Sequence, residues 1–358
     1  MRFDFDTSDP KLIERTWKGI PDRWRATAWH SFLATSAAKR GSPASDAELI
    51  GQFHKLQSQD SADDSQIDVD VPRTISMHIM FRRRYRGGQR LLFRVLHAVS
   101  LYFPGTGYVQ GMASLAATLL CYYDEENAFV MIVRLWQLRG LEQLFAPGFG
   151  GLMAALAEFE KSWLGGGQVA EKLDELSITS TAYGTRWYLT LFNMSVPFPA
   201  QLRVWDVFML LGDAPASALS ATAATPSATA SASLTSTPIM TTPTSAAIDD
   251  LSEKRGKKQD PAQTTTTATT ATSAAAPAPH PFGGADLDVL HATSAALIDA
   301  TREILLDSDF ENAMKVLTSF VPIRDEDLLM RVAKAEYKLA KKKQASSAAS
   351  RKKKRDTI

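Results

Sequence analysis

From Gln89 to Leu138 the chain carries three apolar stretches in succession, and their spacing admits little besides a helical core. In QRLLFRVLHAVSLYF, residues Leu92, Val95, Leu96, Val99 and Phe103 fall at i, i+3, i+4, i+7 and i+11, one face of a helix. QGMASLAATLLCYY is apolar on nearly every side, the pattern of a buried helix. ENAFVMIVRLWQL returns to one-sided spacing through Phe129, Ile132, Val133 and Trp136. Alternation of period two, bounded by hairpin turns, is rare anywhere in the chain. No repeat of the solenoid kind is visible. The expected fold class is all-α.

A second feature divides that helical material. Of the 70 residues from 214 to 283, 50 are Ala, Ser, Thr or Pro. Such a segment buries too little surface to offset its chain entropy and is expected to be disordered. The ordered parts are then 10–213 and 284–340. The second is amphipathic in DVLHATSAALIDATREILL, and SDFENAMKVL places Ser308 as N-cap with Glu311 three residues on, a capping box. So short a piece is marginal as an independent core. Its helices are therefore expected to pack on those before residue 214, making 214–283 an insertion within one fold.

Charge and cysteine content exclude several function classes. The 358 residues carry a formal net charge of only +1, which does not mark the chain as a whole as a nucleic-acid binder. Lys341 to Ile358 holds eight basic residues and one acidic, so 341–358 is expected to be a basic, unstructured tail. Such a run offers contact to an acidic membrane surface or a nuclear-targeting signal, with no specific nucleic acid implied. Cys121 is the sole cysteine, so neither an intrachain disulfide nor a cysteine-rich zinc site can form. The six histidines show no metal-ligand spacing, and no metal site is expected. MRFDFDTSDP lacks the apolar region of a secretory signal. No apolar run is long enough to span a bilayer. A cytoplasmic protein, peripheral on membranes at most, is the expectation.

Three stretches carry candidate chemistry. FPGTGYVQGM, Phe103 to Met112, looks like a phosphate loop but fails the test: Gly105, Gly107 and Gly111 have the wrong spacing for a Rossmann turn, a helix precedes them, and Met112 and Ala113 follow where a P-loop needs Lys and Ser or Thr. A helix connector with glycine turns is the plainer reading, yet Gln110 is an odd amide to place at the first turn of an apolar helix. In IDVDVPRT, Pro72 is expected to hold Val71 extended and to display Arg73 from a stiff turn before a helix, with Asp70 near enough to brace it. A surface ion pair explains that stretch equally well. In SVPFPAQLRVWDVFMLLGD, Arg203, Trp205 and Asp206 interrupt an apolar helix, and a core helix with a satisfied ion pair is the better reading of it alone.

Together these stretches resemble the TBC domain family of Rab GTPase-activating proteins. Ile67, Asp70, Arg73 and Thr74 fit that family's I-x-x-D-x-x-R-T motif, and Tyr108, Gln110, Gly111 and Met112 its Y-x-Q-G-M motif. VPFPAQLRVWD is similar to its P-F-x-x-x-x-R-x-W-D motif. GIPDRWRATAWHSFL resembles its N-terminal motif through Gly19, Pro21, Arg25 and Trp29, with Arg25 and Trp29 spaced to stack on one helix face. Each motif alone is weak, but four in order in a helical chain are specific. The likeness covers 10–213 and 284–340. It departs from the family at Val109, where cysteine is usual, at FPGTGY, where an Asn-Pro start is commoner, and at the insertion after Gly212.

The resemblance implies an all-α fold and a mechanism. The chain would not itself be an enzyme but would supply residues in trans to a GTP-bound Rab GTPase, which holds the GTP and Mg2+; it would need no cofactor of its own. Arg73 would neutralise charge on the phosphates, and Gln110 would orient the attacking water in place of the GTPase's own glutamine. Both are expected in loops at helix N-termini. Asp70 would orient Arg73, with Thr74, Tyr108 and Gly111 in support. Arg25, Trp29, Arg203, Trp205 and Asp206 would hold the fold. The implied process is vesicle and membrane traffic. The alternative is a non-catalytic scaffold of the same fold that binds a Rab or another partner.

Overall fold

The three apolar stretches from Gln89 to Leu138 pack on one another as helices, as their composition requires. In this computed structural model, residues 6–41, 44–76, 78–82, 87–213, 282 and 284–355 are described, with side chains as far as Ser346. The first half comprises α1 (Pro10–Lys18), α2 (Asp22–Lys39), α3 (Asp46–Leu56), α4 (Asp64–Asp70), α5 (Gly87–Tyr102), α6 (Met112–Leu120) and α7 (Glu125–Leu138). All nine residues of α6 are buried. It is walled by α5 and α7, and α2 and α3 cover the outer side of α7. Leu92, Val95, Leu96 and Val99 face inward from α5, as their spacing requires. A capping box starts α3, where Ser45 Oγ accepts from the Glu48 amide at 3.2 Å and Glu48 accepts from the Ser45 amide at 2.6 Å. Asp124 caps α7 by accepting from the Asn127 amide at 2.9 Å.

The second half contains α8 (Leu141–Leu144), α9 (Gly150–Phe159), α10 (Gln168–Glu175), α11 (Ser180–Leu189) and α12 (Phe198–Leu211). After the insertion come α13 (Asp288–Ala300), α14 (Arg302–Leu306), α15 (Phe310–Thr318) and α16 (Glu326–Arg355). Among the described residues the only β pairing is one antiparallel bridge, Asp213 with Ala285. The architecture is all-α.

That bridge joins the two flanks of the insertion. Residues 214–281 and 283, which include nearly all of the stretch expected to be disordered, lie outside the described residues. At their base the Asp286 amide donates to Gly212 O at 3.1 Å, and Arg40 Nε donates to Asp213 Oδ1 at 3.0 Å. Helix α13 lies along α16 and against α12, so the chain on both sides of the insertion shares one core.

Two expectations for the C-terminal part are corrected. Helix α15 starts one residue later than its capping box implied: Asp309 is the N-cap, accepting from the Asn312 amide at 2.9 Å, while Ser308 Oγ donates back to Ile304 O at 2.6 Å. The basic tail is not without structure from Lys341, because α16 continues to Arg355. The run contains neither Gly nor Pro and is rich in Ala, Lys and Arg, all good helix formers. Lys341 also anchors it, lying 2.6 Å from Asp286 and 2.7 Å from Asp288.

Candidate functional site

The arginine of IDVDVPRT is presented by the end of a helix and not by a loop that starts one. Helix α4 runs into a 3-10 turn, Val71–Arg73, and Val71 is helical at φ −54°, ψ −48°. The extended geometry that Pro72 favours at Val71 is overridden because Val71 is anchored in the core beside Ile67. Thr74 closes the turn, its amide donating to Asp70 O at 3.1 Å and its hydroxyl to the same oxygen at 2.8 Å. Ile75 follows at φ +46°, a strained conformation for a β-branched residue. At a helix C-terminus the backbone carbonyls favour a cation, which suits Arg73.

Asp70 is 2% exposed and both of its oxygens are occupied. Oδ1 takes Arg73 Nη2 and, at 3.3 Å, Gln66 Nε2. Oδ2 accepts the Tyr108 hydroxyl at 2.7 Å. Burial, and then the hydrogen bond to Asp70, push the Tyr108 hydroxyl well above the ordinary phenol range, so it stays protonated and keeps donating. The Arg73 side chain itself is 56% exposed. A buried carboxylate thus orients a guanidinium that is free to reach outward.

Gln110 stands exposed on the loop that leads into α6, so this residue does precede a helix N-terminus. Gly111 is the N-cap at φ +110°, a conformation glycine adopts without strain. A Cβ there would meet only Leu189 and Thr190 at 3.9 Å, so backbone conformation, and not the close approach of a neighbour, calls for the glycine. Asp63 organises the other end of the loop. Its Oδ2 accepts the Tyr108 amide at 2.7 Å and lies against Gly107. A carboxylate therefore occupies a backbone N–H that a phosphate cradle would need.

Asp70, Arg73, Thr74, Tyr108, Gln110 and Gly111 line one open cleft of about 390 Å³. Its opposite wall went unread in the sequence. Arg186, near the end of α11, and Asn193 and Met194, from the connection to α12, complete the lining. Asn193 is buried and its amide donates to Ser114 O at 2.7 Å and Thr118 Oγ1 at 2.9 Å, fastening this wall to α6. No residue pattern in YGTRWYLTLFNMS signals this, because the wall depends on Leu191, Phe192 and Met194 at φ +47°, +64° and +57°. Asp63 was missed for a similar reason: it sits in an acidic turn with no motif around it.

The remaining motif residues meet elsewhere. Asp206 is fully buried and accepts from Arg25 Nε at 2.8 Å, Arg25 Nη2 at 3.1 Å, Trp29 Nε1 at 2.8 Å and the Ile20 amide at 3.1 Å. Burial opposes ionisation of Arg25, but the Asp206 carboxylate more than offsets it and holds the guanidinium charged. Arg25 also lies 6.0 Å from the Trp29 ring, and Trp29 packs on Trp205 at 5.6 Å. Asp206 pairs with Arg25 and not with Arg203. Arg203 instead bonds Asp327 at 2.7 Å and Trp17 O at 3.3 Å, joining α12 to α16 and α1. Gly19, at φ +100°, passes so close that a Cβ would lie 2.5 Å from Arg203 Nε.

Among the described residues no group of His, Cys, Asp and Glu could hold a metal ion, and no helix is long and apolar enough to cross a membrane. What the cleft offers is two exposed guanidinium groups, Arg73 and Arg186, and the exposed amide of Gln110. A sequence profile described as the Rab-GTPase-TBC domain matches residues 22–225, and the chain belongs to that family. A TBC domain-containing protein of Schizosaccharomyces pombe is 39% identical over 89% of this chain and 59% of its own length. The Rab GTPase-activating protein tbc-11 of Caenorhabditis elegans is 29% identical over 56% of this chain and 21% of its own length. The chain thus spans less than two thirds of either relative. The crystal structure of the Ypt/Rab-GAP domain of Gyp1p has the same fold, with a TM-score of 0.60 at 14% identity over 94% of this chain and 93% of that one.

Proposed function

We propose that this chain accelerates GTP hydrolysis on a Rab-family GTPase, lending Arg73 and Gln110 to the GTPase's own site. The observation that carries the reading is the shared cleft: an outward guanidinium braced by a buried carboxylate, with an exposed amide on the same lining. Arg73 would meet negative charge developing on the transferred phosphate, and Gln110 would hold the attacking water in line. The GTP and Mg2+ belong to the partner in its GTP-bound state, and the chain acts as an activator without a nucleotide site of its own. Membrane traffic is the process in which such an activator would work. The basic end of α16 would add contact to an acidic membrane.

Single-turnover GTP hydrolysis across a panel of Rab GTPases tests this. Wild type should accelerate at least one member, and Arg73→Ala and Gln110→Ala should each lose about 10²-fold, comparable to removing one transition-state donor elsewhere. A wild type that binds GTP-loaded Rabs tightly yet accelerates none would make the protein a scaffold. Full activity in Arg73→Ala would remove the arginine from the mechanism.

A further inference from the structure

We infer that Arg186 is a docking contact for a carboxylate on the surface of the GTPase that enters the cleft, an inference resting on the function proposed above. Three charged side chains line the cleft, Asp70, Arg73 and Arg186. Asp70 is bonded to Arg73 and to the Tyr108 hydroxyl, so its charge is balanced by that of Arg73. Arg186 supplies the excess positive charge. Among the described residues no carboxylate lies within ion-pair distance of it. Its Nη2 donates to Met194 O at 2.7 Å and its Nη1 to Thr318 O at 3.3 Å. Two neutral carbonyls fix the plane of an exposed guanidinium and leave its charge uncancelled. Its remaining N–H groups are available to an incoming anion.

The surroundings of Arg186 are built to present it. Trp205 Nε1 donates to Leu191 O at 3.0 Å and Asn193 holds to α6, so the turn carrying the Met194 carbonyl is fixed despite its left-handed residues. Strain of this kind persists where the surroundings over-determine it, and it concentrates at functional sites. The C-terminal segment reaches the same place, with the Val321 amide donating to Ser195 O at 2.8 Å. Met194 and Phe320 are 49% and 52% exposed there. An arginine with exposed methionine and phenylalanine nearby has the composition of an interface centre. Arg186 is held at its place on the cleft wall by two carbonyls. Its planar fork matches a carboxylate side chain brought to it.

The test uses the Rab that wild type accelerates best, with single-turnover rates measured against activator concentration at low and high salt. Arg186→Gln keeps an N–H donor for the carbonyls but removes the charge. It should raise the half-saturating concentration about tenfold or more and leave the saturating rate within about twofold, as expected for loss of one interfacial charge pair. The salt dependence of half-saturation should become shallower, and Arg186→Lys should recover part of the affinity. Unchanged half-saturation in Arg186→Gln, equal losses in the Lys and Gln variants, or a loss confined to the saturating rate would each overturn the inference. A wild type that accelerates no Rab removes the activator reading and this inference with it, whereas an active wild type with an unaffected Arg186→Gln removes only the latter.

Discussion

Tyr108 donates its hydroxyl proton to Asp70 Oδ2 at 2.7 Å, joining residues 38 apart in the chain. The link ties the loop that carries Gln110 to the turn that carries Arg73, so one buried carboxylate holds both Arg73 and Tyr108, two residues before Gln110. Tyr108→Phe removes only that hydroxyl. A hydrogen bond to a charged group contributes about 1.5–3 kcal/mol, and here its loss loosens the orientation of Arg73. In single-turnover assays Tyr108→Phe should slow hydrolysis about tenfold, less than Arg73→Ala does, and should lower the unfolding temperature by several degrees. A rate equal to wild type would mean that Asp70 orients Arg73 unaided.

Asp63 holds the other end of the same loop through the Tyr108 amide. Asp63→Ala leaves that donor without its partner and opens space at Gly107, where the loop turns at φ +63°. Gln110 should then lose its fixed position. Activity should fall several-fold while binding to the GTP-loaded partner persists, and amide exchange should quicken at Gly107 and Tyr108. If exchange there is unaltered, the loop is held by other contacts.

The Arg25 and Asp206 pair should behave as a buried network. Asp206→Ala removes the buried partner of a guanidinium that is 6% exposed, leaving it the exposed Asp22 at 2.7 Å, and strands the Trp29 indole N–H. Loss of one partner of a buried pair costs about 3–5 kcal/mol, and the remaining Asp22 contact puts the expected loss toward the lower end. Arg25→Met should also destabilise, and the double variant should lose clearly less than the two singles added. Denaturant unfolding of all four proteins measures the coupling. Simple additivity would show that the bonds contribute separately.

How much of this was legible in the sequence follows from the range of the interactions involved. Helices α5, α6 and α7 were readable because apolar spacing is a local property, and α6 is buried all round as its composition requires. The motif residues could be named because Arg73 and Gln110 stand in short, specific patterns. Their partners were harder to read. Asp206 was expected in an ion pair, but its arginine lies 181 residues away in α2, and only packing reveals it. The helical end of Arg73's turn was misread because the preference set by Pro72 is weaker than the burial of Val71. The wall bearing Arg186 and Asn193 left no trace in composition or period. It rests on left-handed residues at Leu191, Phe192 and Met194 that local propensity disfavours.

His291 makes the fold sensitive to acid. Its ring lies in the core, stacked 6.2 Å from Phe159 and bonded to the Tyr188 hydroxyl at 2.6 Å, with Asp288 and Lys341 also acting on it. Burial holds its pKa down to about 4, against an ordinary 6.5. As pH falls, the unfolded chain takes the proton first. Stability is therefore whole above about 6.5 and is lost progressively toward 4, by as much as about 3 kcal/mol. Urea unfolding at several pH values between 7 and 4.5 should show this decline. In His291→Gln, which retains an acceptor for Tyr188 without titrating, the decline should be smaller by a similar amount. Parallel curves would place the acid sensitivity elsewhere.

Lys341 ties the basic end of α16 to the fold. This lysine lies between Asp286 and Asp288, at the start of α13 and beside the bridge that closes the insertion. Burial raises the pKa of the Asp286 carboxyl, with Asp288 adding to the rise and Lys341 opposing it. Removing the ammonium leaves two part-buried carboxylates facing each other, which weakens the junction between the two parts of the fold. Gln344 adds a bond to Asp288 at 3.1 Å. Truncation after Ala340 should therefore lower the unfolding temperature by several degrees, since about 1 kcal/mol corresponds to a few degrees in a domain of this size. Truncation after Ala345 keeps Lys341 and Gln344 and should leave stability close to that of the full chain, while removing five of the eight basic residues of 341–358. Binding to vesicles rich in anionic lipid should fall in both truncations. Equal melting temperatures for the two would show that Lys341 does not support the fold, and unchanged vesicle binding in the longer one would show that the last residues do not serve the membrane.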